Sequence, residues 1–197
     1  MLLLNEEKLV ALAVSGDYEA FEQLIESYSL PLSRFVTRLI GHPEEARDAV
    51  QQILIQVHQS LSSLQQPAYF RAWLFTIARN KCFEILRRPA NRFGTSINLR
   101  PEPQDEEWSE DSLTLQDRVP DPAPLPLELI ERQETRQLLQ EAINRLPARP
   151  RQVVILRYTT DLTFAEIAQV LDTNENTVKT LFQRGKARLR NYLSQGL

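Results

Sequence analysis

The stretch TFAEIAQVLDTNENTVKTLFQRGKARLR, residues 163–190, decides the fold of the C-terminal part of the chain. It opens with a capping box, in which Thr163 caps a helix and Glu166 reaches back to the cap. A polar turn at 172–174 separates this helix from a second one that begins at Glu175. Helix, short turn and helix is the helix-turn-helix arrangement, whose second helix enters the major groove of DNA.

The second helix of this stretch carries polar side chains near its start and basic ones further on. In a recognition helix the N-terminal residues reach base edges, while Lys and Arg elsewhere neutralise phosphate. A solvated basic face at a helix C-terminus also suits the helix dipole, and the spacing alone leaves both interpretations open. The predicted DNA contacts are Asn176, Thr177, Lys179, Thr180, Gln183, Arg184, Lys186 and Arg188.

The charge of the chain is unevenly distributed, although the net value is only −3. Residues 1–88 hold 9 basic and 10 acidic side chains, residues 89–131 hold 3 and 10, and residues 132–197 hold 11 and 6. The basic C-terminal part is a local electrostatic footprint for phosphate, which the average hides. The capping box and this local charge favour DNA binding.

The acidic middle of the chain is predicted to be a linker. Seven of the twelve prolines lie between Pro89 and Pro126, and apolar residues there have no regular period. Such a segment cannot bury enough apolar surface to offset the entropy of ordering it. Helical periodicity fills the residues before and after it, so the sequence predicts an all-α protein with two small helical domains, 1–92 and 128–197, and a flexible linker at 93–127.

Several classes of protein are disfavoured by composition. Cys82 is the single cysteine and the two histidines are isolated, so neither a disulfide framework nor a zinc cluster is expected. No phosphate-binding glycine loop or nucleophile arrangement indicates an enzyme, and we expect no cofactor and no metal. The N-terminus lacks the basic flank of a signal peptide, and no apolar run is long enough for a membrane span, which predicts a cytoplasmic protein without membrane insertion.

Motifs in both halves resemble extracytoplasmic-function (ECF) sigma factors of bacteria. In the C-terminal half, RQVVILRY at 151–158, FAEIA at 164–168 and TVKT at 177–180 resemble sigma region 4 in order and spacing. In the N-terminal half, EARDAVQQ at 45–52 resembles region 2.2, and FRAWLFTIARN at 70–80 resembles region 2.3 running into 2.4. The resemblance implies a non-catalytic subunit that binds core RNA polymerase and directs transcription initiation at particular promoters.

The resemblance also implies roles for residues of the N-terminal domain. Region 2.2 of the family docks on the clamp helices of the polymerase β′ subunit, here through Arg47, Asp48, Gln51, Gln52 and Ile55. Regions 2.3 and 2.4 recognise the −10 element as it melts, which gives the candidates Trp73, Arg79, Asn80, Lys81, Glu84, Arg87, Arg88 and Asn91. For Trp73 and Phe75, which lie in an apolar run, a core position is favoured over base stacking.

Region 4 of the family reads the −35 element through its helix-turn-helix and contacts the β flap of the polymerase. The expected partners are therefore core RNA polymerase and promoter DNA, and an anti-sigma factor is left open. The recognition helix departs from the family pattern, because one basic residue is lost early and Gly185 stands inside the helix. These departures predict an unusual −35 preference, with Phe182 as a candidate exposed partner contact.

Two alternatives from other classes remain. A free-standing repressor or activator explains the C-terminal half, leaves the N-terminal half without a purpose, and predicts dimers on paired half-sites. A helical interaction module without a DNA role, such as a decoy for an anti-sigma factor, is the other. The promoter consensus and the inducing signal are not encoded in any recognisable pattern.

Overall fold

The computed structural model describes residues 6–88 and 133–195, and every regular element in those two segments is helical. This confirms the predicted all-α class. The predicted linker at 93–127 and the candidate Asn91 lie outside the described residues.

The first segment contains four helices, two of which are joined by a pair of short 3-10 turns. Asp17 caps the second helix by accepting a hydrogen bond from the Ala20 amide at 3.0 Å. Gly41 ends it with a φ of 85°, a left-handed conformation that glycine adopts without strain. Pro43 then starts the third helix, where its missing N–H has no partner to lose. The helices are α1 (Glu6–Val14), α2 (Tyr18–Ile40), α3 (Pro43–Ser60) and α4 (Phe70–Leu86).

Aromatic side chains join α2 to α4 in the core of this segment. The rings of Phe35 and Phe75 meet edge to face at 5.6 Å, and those of Tyr28 and Phe70 at 5.5 Å. Phe75 is buried and Trp73 is partly buried against the same core. The preference for a core position is thus confirmed for Phe75.

The second segment also forms four helices: α5 (Gln133–Asn144), α6 (Ala148–Thr159), α7 (Phe164–Leu171) and α8 (Glu175–Gln195). The predicted capping box is present, because Thr163 Oγ1 accepts from the Glu166 amide at 3.2 Å and Glu166 Oε2 accepts from the Thr163 amide at 2.6 Å. Asp172 leaves α7 in the left-handed region, with φ 50°. The turn at 172–174 and α8 complete the helix-turn-helix.

Phe182 lies inside the second segment rather than on its surface. Only 6% of the residue is exposed, and its ring lies 5.6 Å from Tyr158 and 5.4 Å from Phe164. The interpretation of Phe182 as an exposed partner contact is therefore wrong, because its ring joins α6, α7 and α8. This aromatic cluster packs α8 against α6 and α7.

The two segments pack against each other as well as within themselves. Helix α4 contacts α7, and α2 contacts α6, so that the buried apolar side chains of both segments form one contiguous cluster. Sequence patterns predicted two domains and gave no sign of this contact. It places the helix-turn-helix directly beside α4.

Candidate nucleic-acid and polymerase interface

The start of α8 presents polar side chains to solvent. Asn174 caps the helix, its Oδ1 accepting from the Thr177 amide at 2.7 Å. Asn176 and Lys179 are exposed, and Lys179 Nζ lies 2.7 Å from Glu175 Oε1 in an ion pair at the surface. A surface pair of this kind contributes little stability, so Lys179 can leave Glu175 for a phosphate at small cost.

The remaining predicted residues of α8 differ in accessibility. Lys186 is only 1% exposed, so in this arrangement its ammonium group cannot reach a phosphate and the expectation for this residue fails. Burial follows from its position in the helix, beside the face that crosses α6. The half-buried members of the predicted set are Thr177, Thr180, Gln183, Arg184 and Arg188.

Gly185 marks the closest approach between α8 and α6. A Cβ atom at this position would lie 2.8 Å from Val154 Cγ2 and 3.3 Å from Pro150 Cβ. The glycine therefore allows the two helix backbones to approach each other, and the sequence departure at this position has a packing cause. An altered −35 preference is not needed to explain it.

Arg151 is another basic residue of the C-terminal half with a structural position. Its guanidinium is buried, and it donates to the Leu146 and Asn144 carbonyls at the end of α5 through Nη2, at 2.6 and 2.5 Å. Asn144 is the last residue of α5, where a carbonyl has no partner within the helix, and Leu146 follows in the turn, so the arginine satisfies both carbonyls. Burial lowers the pKa of Arg151 from its ordinary value. The number of basic side chains that DNA can contact is therefore smaller than the number counted from the sequence of this part of the chain.

Arg79 on α4 is held by several neighbours. Its Nε donates to Gln152 Oε1 on α6 at 2.9 Å, its Nη1 donates to Asn80 Oδ1 at 3.3 Å, and its guanidinium lies 5.1 Å from the centre of the Phe83 ring. Burial, with a smaller contribution from nearby Arg87, lowers the pKa of Arg79. Asp172 in the helix-turn-helix acts on it in the opposite direction. Arg79 therefore faces the second segment.

The C-terminal end of α4 carries an exposed charged network. Glu84 accepts from Lys81 Nζ at 3.0 Å and from Arg88 Nη2 at 2.9 Å, and these hydrogen bonds hold its pKa below the ordinary value. Asn80 and Arg87 are exposed beside it. Six of the −10 candidates thus share the end of one helix or its immediate neighbourhood: Arg79, Asn80, Lys81, Glu84, Arg87 and Arg88.

The candidates for polymerase binding lie on the outer face of α3. Its inner face packs through Ala46, Ala49, Ile53 and Val57, all of which are buried. Asp48, Gln52 and Ile55 recur at i, i+4 and i+7 on the opposite side, and Ile55 is 58% exposed, which is unusual for isoleucine. Arg47 and Gln51 are exposed beside them, and Arg47 Nη1 lies 3.2 Å from Glu44.

The polar contacts between the two segments have no counterpart in the sequence patterns. Arg38 and Gln140 exchange two hydrogen bonds, each 3.1 Å long, and Arg71 Nη1 lies 3.4 Å from Glu166 Oε1. Gln152, the partner of Arg79, completes the set. These partners are far apart in sequence, so no local period could have indicated them.

The described residues lack two kinds of feature. No helix there combines the length and apolar character needed to cross a membrane. Within the same residues, no three His, Cys, Asp or Glu side chains are grouped in a way that could hold a metal ion.

Comparison with known families matches both described segments. Residues 24–92 match the model for sigma-70 region 2, and residues 136–189 match the model for sigma-70 region 4. The two matched ranges contain the α3 and α4 surfaces and the helix-turn-helix respectively. A chain with both regions in this order is a sigma-70 type initiation factor.

Relatives and solved structures indicate which group of sigma-70 factors this chain resembles. The chain is 25% identical to the ECF RNA polymerase sigma factor SigW of Bacillus subtilis over 95% of this chain and 96% of that protein. It is 27% identical to the ECF RNA polymerase sigma-E factor of Escherichia coli over 95% and 94%. The structure of CnrH in complex with the cytosolic domain of CnrY aligns with a TM-score of 0.66 and 25% identity, covering 96% of this chain and 97% of CnrH.

A second solved structure shows the same fold. The sigma factor RpoE, in complex with the anti-sigma factor NepR from Bartonella quintana, aligns with a TM-score of 0.63 at 23% identity, over 89% of this chain and 98% of that one. The chain belongs to the ECF group of the sigma-70 family. It directs promoter-specific initiation of transcription.

Proposed function

We propose that this sigma factor divides its work among three surfaces of the described helices. The outer face of α3 binds the β′ clamp helices of core RNA polymerase, the end of α4 contacts the −10 element, and the start of α8 reads the −35 element. The supporting observation is that each surface lies within a matched sigma region and presents exposed polar side chains. The domain division at 1–92, 93–127 and 128–197 is part of the same proposal.

The proposed −35 surface contains fewer residues than the sequence pattern predicted. We assign base reading to Asn176, Thr177, Thr180 and Gln183, because N-terminal residues of a recognition helix reach base edges. Lys179, Arg184 and Arg188 are assigned to phosphate, while buried Lys186 is left out. The region 4 contact with the β flap belongs to the same proposal, on family resemblance.

The −10 surface combines exposed basic groups with a carboxylate, Glu84, that pairs with two basic neighbours. Melting a duplex costs a few kcal/mol of unstacking, which contacts to the displaced strand offset. Asn80, Arg87 and Arg88 are exposed and available for such contacts. Lys81 becomes available if DNA displaces Glu84 from its two basic partners. Trp73, Arg79 and Asn91 complete the proposed set.

Further parts of the proposal follow from family membership. The chain acts as a non-catalytic subunit in the bacterial cytoplasm, where core polymerase and promoters are found, and needs no cofactor. An anti-sigma factor is a proposed partner. Support comes from the similar fold of a sigma factor that is bound to one.

Transcription in vitro tests the function as a whole. Purified bacterial core polymerase is combined with this protein on a genomic fragment library, and transcript start sites are mapped. We expect new starts that share two spaced upstream elements. DNA binding without affinity for core would instead support a free-standing repressor, and core binding without transcripts would support a decoy.

Variants on the resulting promoters test the surfaces separately. Lys179→Ala should weaken promoter binding and reduce the slope of log affinity against log salt by about 0.9 per lost phosphate contact. Arg145→Ala removes an equal charge from an exposed position outside the helix-turn-helix and is the matched control. Equal effects of the two variants would contradict the −35 assignment.

Asp48→Asn tests the core-binding face in the same way. We expect weaker binding to core polymerase with an unchanged melting temperature, since Asp48 is exposed. Glu26→Gln removes the same charge from an exposed position on α2 and should have no effect. A loss of core affinity in both variants would indicate a general charge effect rather than a docking face.

A further inference from the structure

The C-terminal end of α4 places the Glu84 carboxylate among the cations of the proposed −10 surface. Glu84 Oε2 lies 3.0 Å from Lys81 Nζ, and Glu84 Oε1 lies 2.9 Å from Arg88 Nη2. Lys81 precedes Glu84 by three positions and Arg88 follows it by four, which are the spacings that bring side chains together on one helix face. Both oxygens of the carboxylate are therefore engaged, each by a different cation.

The stability of α4 does not account for a carboxylate at this position. Glu84 lies in the last turn of a helix that ends at Leu86, where the helix dipole is negative and favours cations. The Glu84 and Arg88 side chains are 55% and 53% exposed, and ion pairs open to solvent contribute little to stability. A role in DNA binding is the better explanation of this residue.

The carboxylate and DNA compete for the same two cations. Lys and Arg bind phosphate oxygens through the same charge-assisted hydrogen bonds that they give to a carboxylate. The Lys81 side chain is only 17% exposed, which limits the directions from which a phosphate can approach its ammonium group. Because the pKa of Glu84 is held below its ordinary value, the competing group stays charged at neutral pH. A DNA strand that uses these cations must therefore displace Glu84.

A displaced carboxylate needs a hydrogen-bond donor of its own. Phosphate oxygens are acceptors and cannot supply one, whereas a carboxylate can accept from the exocyclic amino group of a base such as cytosine. Thymine has no amino group, and its one N–H is flanked by two carbonyl oxygens that repel a carboxylate. The chemistry of the exchange thus distinguishes strands by the bases that they present to the end of α4.

We propose that Glu84 is a selectivity residue of the −10 surface, which withholds Lys81 and Arg88 from phosphate until a base with an exocyclic amino group binds the carboxylate. This inference rests on the proposed function, because it assumes that a melted strand lies at the end of α4. It adds that strands without such a base bind weakly, although the surface carries several basic groups.

Binding of the full chain to oligo(dT) tests the competition with phosphate. Glu84→Gln keeps the size of the side chain and removes its charge. At low salt we expect about tenfold tighter binding, which corresponds to two surface ion pairs that no longer have to be broken. The slope of log affinity against log salt should become steeper by about 0.7 for each cation that the substitution frees.

The matched control is Glu44→Gln on α3. Glu44 also forms an exposed ion pair, 3.2 Å from Arg47 Nη1, and its substitution removes the same charge outside the −10 surface. This variant should bind oligo(dT) like the unmodified chain. Equal gains in the two variants would show that net charge alone is responsible and would overturn the proposal, as would an unchanged salt slope in Glu84→Gln.

Oligo(dC) and oligo(dT) of equal length test the requirement for an amino group. Both strands carry the same charge, so they differ at the base. The unmodified chain should bind oligo(dC) several-fold more tightly, whereas Glu84→Ala should lose most of this preference. Any preference that remains in Glu84→Ala measures the contribution of base stacking. A ratio that is the same in both proteins would contradict the role assigned to the carboxylate.

Mapped transcripts separate this inference from the proposed function. If the unmodified chain directs initiation but the Glu84 variants change neither the salt slope nor the ratio of affinities, the inference fails and the function stands. If no transcripts are obtained while Glu84→Gln binds oligo(dT) more tightly with a steeper slope, Glu84 restrains DNA binding and the proposed function fails.

Discussion

Gly185 shows how one residue can be conspicuous in a sequence for a reason that only packing reveals. Gly185→Ala should gain about 1 kcal/mol of helix propensity. It also places a Cβ 2.8 Å from Val154 Cγ2, whose branched side chain has little freedom to move. Overpacking of this kind costs about 1–3 kcal/mol, so we expect a net loss of stability in chemical denaturation.

The control for this substitution lies in the same helix. Asn191 is exposed in α8, so Asn191→Ala should raise stability by a few tenths of a kcal/mol through propensity alone. A Gly185→Ala variant as stable as Asn191→Ala would show that α6 yields easily, and the packing explanation of the glycine would be wrong.

Cys82 should be chemically silent in the folded chain. The residue is fully buried on α4, and burial raises the pKa of its thiol to about 12. A maleimide or disulfide reagent at pH 8 should therefore react only after unfolding. Because the folded pKa lies above the unfolded value of 9.0, the neutral thiol contributes stability that is intact below pH 9 and lost as pH rises towards 12. Rapid labelling without denaturant would contradict this.

At the scale of elements, the capping box of α7 supports the whole helix-turn-helix. Thr163→Ala removes the acceptor for the Glu166 amide, and such losses cost about 1 kcal/mol. We expect a lower midpoint in urea denaturation, with −35 binding reduced only as far as the folded fraction falls. Thr163→Ser keeps the hydroxyl and should restore most of the stability. If both variants are equally destabilised, the lost methyl group rather than the cap is responsible.

Elements with local signals could be predicted from sequence, and those without could not. The capping box and the turn after α7 depend on neighbouring residues, so their prediction is confirmed. Helix α4 ends at Leu86, shortly before Pro89, because proline disfavours helical geometry in the residue that precedes it. Helix α1 was missed, since nine residues form a helix only when packing against α2 supports them.

The candidate site, like the fold, could be predicted from sequence only where its signals are local. Exposed positions on α3 and at the start of α8 follow from helical period, but burial depends on neighbours that are remote in sequence. Lys186 was predicted to contact DNA and Arg151 was counted in the local positive charge, yet both residues are buried. The pairs Arg38–Gln140 and Arg79–Gln152 join residues separated by 102 and 73 positions, for which a single sequence has no signal.

At the scale of the whole molecule, the packing of α4 on α7 predicts how the free chain should treat promoter DNA. With the two segments in contact, α8 can lie on a −35 element, but the end of α4 cannot reach a −10 element about 25 base pairs away, which is roughly 85 Å at about 3.4 Å per base pair. Duplexes taken from mapped promoters, with either element intact or scrambled, allow this to be measured by fluorescence anisotropy. The free chain should bind the two-element duplex no more tightly than the −35 duplex, because only one reading surface is engaged.

Binding to core polymerase should change this result in a defined way. In complex with core polymerase, scrambling either element should weaken binding, since each mismatched base pair in a recognised site costs about 1–3 kcal/mol. If the unmodified free chain already distinguishes an intact from a scrambled −10 element, its segments are not held together in solution, and the packing of α4 on α7 does not limit promoter recognition.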